Sequence, residues 1–196
     1  MRRAPLLFCL LALACSDSAG AGSGKHALAV DRPETRAAAT LQVSSPSFAR
    51  NGAIPAAYSA YGAGRAPALA WSAPPAGTKS LAIMVEDPDA MSAKPFVHWM
   101  AWNVDPKLTG LAEAVVPAGV RQGRNNRGRA SYFGPRPPGS SPHHYHFQVF
   151  ALDAPLPLPD GAAREQLLAA MDGHVLAKGD LVGLFSGSWK RGKSGT

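Results

Sequence analysis

The sequence predicts a mainly β fold, a sandwich carrying one or two short helices, and two observations lead to it. Of 196 residues, 20 are glycine and 18 are proline, spread along the chain without a collagen period; a helical bundle cannot absorb so many breakers. Short apolar runs recur between turn signals, while a single segment has a clear helical period. With 46% hydrophobic and only 17% charged residues, the chain is no disordered polymer, and its length fits one domain with an extension.

At the start, Arg2 and Arg3 precede an apolar run from Ala4 to Ala14. At about 1.5 Å per residue that run is too short to cross a bilayer. Its layout is that of an export signal over residues 1–14. The sequence Leu11-Ala12-Leu13-Ala14-Cys15 resembles a bacterial lipobox, which implies cleavage before Cys15, lipidation of that cysteine and an exported, periplasmic, membrane-anchored lipoprotein. Residues 15–40 are small, polar and aperiodic, as in a flexible tether. The folded domain is expected over residues 41–188, followed by a basic tail at 189–196.

Within the domain, Leu41–Val43 and Phe48 come first, and Ala53-Ile54-Pro55 leads into a loop. Ala68–Ser72 reads as a short strand ended by Pro74-Pro75. Leu81–Glu86 is a buried strand stopped by Asp87-Pro88-Asp89, and Phe96–Val104 is another, stopped by Asp105-Pro106. Tyr145–Leu152 and Asp180–Phe185 complete the set. The one helix has Asp160 as its expected N-cap, Ala163, Leu167, Ala170 and Met171 on one stripe, and Gly173 at its stop.

Polar chemistry gathers at strand ends. Asp87-Pro88-Asp89 closes one strand, His98 lies at the start of the next, and His143-His144-Tyr145-His146 follows the turn Gly134-Pro135-Arg136-Pro137-Pro138-Gly139. Period-two alternation puts His143 and Tyr145 on the face that becomes apolar, and His144, His146 and Gln148 on a wetter face. An inward Asp, His and Tyr beside a Gly-Pro turn make a small polar pocket. A carboxylate fixes the imidazole and favours its cation, whose other nitrogen donates to an anion together with the tyrosine hydroxyl. Protonated His98 and His143 are then expected to hold the anion, more tightly in mild acid.

These residues, in order, form a recognisable set: Leu81–Ala90, His98-Trp99, Gly134-Pro135-x-Pro137-Pro138 and His143-x-Tyr145-x-Phe147. The set resembles the phosphatidylethanolamine-binding protein family, its small bacterial Raf-kinase-inhibitor-like members in particular. The resemblance runs from about Leu41 to Phe185. It implies a β-sandwich with Greek-key features and a non-catalytic pocket for a phosphate-bearing small ligand or a phospholipid head group. It assigns that pocket to Asp87, Asp89, His98, Gly134, Pro135, His143 and Tyr145. Some members of the family instead inhibit a protease or other enzyme, so a protein partner is the alternative. Two departures stand out: Met91 replaces a proline after Asp87-Pro88-Asp89-Ala90, and Arg136 occupies a turn position where bacterial relatives often have cysteine.

Other chemistry fits less well. His143 and His144 face opposite sides of a strand, and no cysteine can join the inward set, so neither a metal site nor a cofactor is expected. No G-x-S-x-G nucleophile elbow occurs, and nothing nominates a nucleophile. The chain is therefore expected not to be an enzyme. Arg121, Arg124, Arg127 and Arg129 form a basic loop; in an exported protein that reads as a solvated or anion-steering loop, with no nucleic acid as partner.

Overall fold

Leu81, Ile83 and Val85 alternate with Ala82, Met84 and Glu86 along one strand, and in the computed structural model, which describes residues 27–187, both sets are buried. That strand therefore lies inside a sheet covered on both faces, which explains its continuous apolar run. The strands are β1 (Ala39–Thr40), β2 (Val43–Ser44), β3 (Gly52–Ala53), β4 (Leu69–Trp71), β5 (Ser80–Asp87), β6 (Phe96–Val104), β7 (Gly110–Leu111), β8 (Arg121–Gln122), β9 (His143–Leu152) and β10 (Val175–Phe185), with helix α1 (Arg164–Met171) before the last. The larger sheet runs β1-β10-β9-β5-β6-β8, with β3 also on β10, and the smaller runs β2-β4-β7. The long strands pair antiparallel, while β1 and β3 join β10 in parallel. The expected mainly β fold with one helix holds.

Two apolar layers flank the larger sheet. Ile83, Val85, Trp99, Phe147 and Val149 pack with Val43, Leu69 and Trp71 of the smaller sheet. On the opposite face, Met84, Met100, Trp102 and Phe150 pack with Leu167, Leu168 and Met171 of α1. The helix starts three residues after the expected Asp160, whose carboxylate accepts instead from the Gln122 backbone and from Arg121, both at 2.9 Å. At the true start, Gln166 accepts the orphan Ala163 N–H at 2.8 Å.

The tether reading fails over residues 27–40. Ala29 and Thr35 are fully buried, and this segment is held by side chains of the sheet and helix. Glu86 accepts from the Ala29 N–H at 2.7 Å, and Gln148 from the Val30 N–H at 2.6 Å. Arg164 donates to the Ala27 carbonyl at 2.9 Å and Lys178 to that of Val30 at 2.5 Å. The same strap corrects the second face of β9: His144 points to solvent there, but Gln148 is completely buried beneath the strap. The expected signal, Cys15, the first half of the tether and the basic tail lie outside the described residues.

Candidate functional site

Three strand ends converge on one cavity. Asp87 is the last residue of β5 and His143 the first of β9. Their strands are hydrogen-bonded neighbours, so the Asp87 carboxylate meets His143 Nδ1 at 2.8 Å. The other carboxylate oxygen accepts from the Asp89 backbone N–H at 2.8 Å, which turns the chain away after the strand. Burial pushes the Asp87 carboxyl above its ordinary range, opposed by the His143 ring.

His98, on β6, is buried among rings. Its centre lies 4.8 Å from Phe96, 5.7 Å from Phe133 and 5.1 Å from Tyr145. Nδ1 donates to the Phe133 carbonyl at 2.6 Å, and the Phe133 N–H returns a bond to the His98 carbonyl at 2.9 Å. Burial lowers the imidazole to about 4, with Arg127 and His143 pushing the same way. His98 is thus neutral near pH 7, with Nε2 as an acceptor. This overturns the expectation of a protonated His98 holding an anion: burial outweighs any gain from charge.

Tyr145 is 1% exposed, and its hydroxyl has no hydrogen-bond partner among the described residues. Burial, and the Asp87 carboxylate after it, push the phenol well above its usual value, so it stays protonated. The cavity, about 170 Å³, is lined by Asp87, His98, His143 and Tyr145, with Phe96, Phe133, Met91, Arg127, Arg136, Pro137 and Pro138 around them.

Of the seven residues assigned from the sequence, these first four line the cavity and three do not. Asp89 turns outward, where it accepts from the His144 backbone and ring at 2.8 and 2.7 Å; against some desolvation, those bonds hold its carboxyl below the usual range. Gly134 is pressed on the backbone of Tyr58–Ala60, where an added Cβ would come within 2.5 Å of the Tyr58 carbonyl oxygen. Pro135 accepts the Ala60 N–H at 3.0 Å. Both shape the turn whose next residues, Arg136–Pro138, reach the cavity. Phe133 was missed, although it directly precedes the Gly-Pro turn; in sequence it looks like any apolar loop residue. Among the described residues no group of three His, Cys, Asp or Glu side chains is arranged to hold a metal ion.

Comparison with known proteins places this geometry. A family model described as "Phosphatidylethanolamine-binding protein" matches residues 44–186. The chain is 45% identical over 154 residues to UPF0098 protein PH1269 of Pyrococcus horikoshii, covering 74% of this chain and 76% of that one. It is 41% identical over 152 residues to a Mycobacterium tuberculosis protein named "Putative lipoprotein LppC", covering 77% and 75%. The crystal structure of Escherichia coli YbcL, titled a new member of the mammalian PEBP family, superposes with a TM-score of 0.71 at 28% identity, covering 76% of this chain and 99% of that one.

Proposed function

Because the chain belongs to the phosphatidylethanolamine-binding protein family, we propose that its cavity binds a small phosphate-bearing ligand, free or as a phospholipid head group, without transforming it. The observation that carries this reading is the buried Tyr145 hydroxyl, which makes no close hydrogen bond among the described residues and lies near the Asp87 carboxylate of the Asp87–His143 pair. A buried donor left unpaired costs about 1–3 kcal/mol, and a ligand oxygen would satisfy it. With Nδ1 engaged by Asp87, His143 is left with Nε2 to meet the same ligand. Neutral His98 takes the complementary role, accepting a hydrogen bond at Nε2 from a P–O–H or from a head-group ammonium. Binding rather than catalysis is favoured because the tyrosine is held as a phenol, away from the phenolate a nucleophile would need.

Calorimetric titration with phosphate at constant ionic strength tests this reading. His143→Ala should weaken binding by about tenfold or more, the loss of one charge-assisted hydrogen bond. His144→Ala, on the solvent side of β9, should leave it close to wild type. Equal losses in both variants, or no phosphate binding by the wild type, would refute the site.

The proposed setting is the periplasm, with the domain held to a membrane through lipid on Cys15. The lipobox-like sequence supports it, as does the similarity to the mycobacterial protein named a putative lipoprotein. No helix among the described residues is long and apolar enough to cross a membrane. Cell fractionation should find wild type with membranes and Cys15→Ser in the soluble fraction. A wild-type protein that is already soluble would sink the anchor.

A further inference from the structure

Beside the cavity lies a second concavity of about 290 Å³ that shares its wall: Arg127, Phe133 and Arg136 line both, and Arg129 joins them in the outer one. All three arginines are exposed. The ion pairs among the described residues employ Arg32, Arg65, Lys94, Arg121 and Arg164, and none of these three. On the same basic loop Arg121 is matched by Asp160 at 2.9 Å, and what sets Arg127, Arg129 and Arg136 apart is that all three line one concavity.

Two of these guanidiniums are held by rings instead. Arg127 lies 5.0 Å from the centre of Phe133 and 5.8 Å from that of Phe96, and Arg136 lies 5.9 Å from Tyr61. A guanidinium resting on an aromatic face is positioned while its N–H fork stays available. With Arg129, three cations around one concavity repel each other, and an anion relieves that repulsion while accepting charge-assisted bonds.

We propose that Arg127, Arg129 and Arg136 form an outer anion subsite, and that the ligand is a diphosphate: one phosphate in the inner cavity, as the reading above has it, and the second on the arginines. The shared wall makes the two sites contiguous, which suits phosphates joined by a single bridging oxygen. Such a diphosphate is borne either by a soluble ester or by a lipid.

Calorimetry with orthophosphate and inorganic pyrophosphate at constant ionic strength separates the two subsites. Pyrophosphate should bind wild type about tenfold or more tightly than orthophosphate. Arg129→Ala, the one of the three that lines the outer concavity alone, should remove most of that advantage and change orthophosphate affinity by less than about threefold. Arg124→Ala, on the same loop but away from the cleft, should alter neither, which controls for bulk charge. Equal affinity of wild type for the two anions, or equal weakening of both by Arg129→Ala, overturns the outer subsite. Pyrophosphate binding that needs the arginines, with no orthophosphate binding, overturns the inner reading and keeps the outer one; binding of neither overturns both. Vesicles of zwitterionic lipid carrying a polyprenyl diphosphate or a polyprenyl monophosphate distinguish the source. Retention on diphosphate vesicles that depends on Arg129 supports a lipid ligand, and pyrophosphate binding without retention supports a soluble one.

Discussion

Truncating Arg164 to alanine should lower the unfolding free energy by about 3–5 kcal/mol, because it strands a buried carboxylate. Glu86 is completely buried and Arg164 has 8% of its side chain exposed. Arg164 Nε donates to Glu86 Oε1 at 2.5 Å, while Oε2 accepts from the Ala29 N–H at 2.7 Å and Gln148 Nε2 at 2.9 Å. One carboxylate thus ties α1, β5, β9 and the N-terminal strap together. Its consequence reaches the site, since Asp87 follows Glu86 on β5 and faces the other side; pinning one orients the next. Urea unfolding at neutral pH measures the loss. The pair Glu86→Gln with Arg164→Met should recover a substantial part of it, because no charge is then left buried. A single-variant loss below about 1 kcal/mol would mean that the ion pair does not hold the strap.

How legible all this was in the sequence depended on whether the cause was local. Strands β5, β6 and β9 were read to within two residues of their bounds, because burial writes continuous apolar runs between turn signals. The reading of β10 began at Asp180, five residues late, because Gly179 looks like a breaker. Its missing side chain instead admits the crossing chain: a Cβ there would collide with the Leu41 carbonyl oxygen. The two-residue strands β7 and β8, and β1 inside the supposed tether, exist only through distant partners, which no local pattern encodes. The strap failed for the same reason, since Glu86, Gln148 and Arg164 order it from afar. In the site, alternation correctly placed His143 and Tyr145 inward. What alternation could not supply was the state of His98, which depends on the rings around it. Nor could it divide the basic loop into a neutralised Arg121 and unmatched Arg127 and Arg129.

That buried His98 also makes the fold acid-sensitive above the usual carboxylate range. Lowering the pH from about 6.5 to about 4 should remove roughly 3 kcal/mol of stability. The unfolded chain's imidazole takes up its proton near the ordinary value of 6.5, whereas the folded ring, desolvated, does so only near 4. Between those values the unfolded state binds more protons, so acid favours it; above 6.5 the full contribution is present. Asp87 runs the other way. Its raised carboxyl pKa lets the folded state take a proton earlier, which offsets part of the loss at the acid end. Glu34, held at about 2 by Arg32, and Asp89, also held low, give up their stabilisation only as pH falls below the ordinary carboxylate range. Urea unfolding across this window should therefore show a slope that His98→Gln flattens, since an amide stays neutral throughout. Identical slopes in the two proteins would mean that His98 is not the group responsible. A flattened slope would also locate the positive side of the pocket elsewhere, because a ring that resists protonation down to pH 4 lends no charge to a ligand at neutral pH.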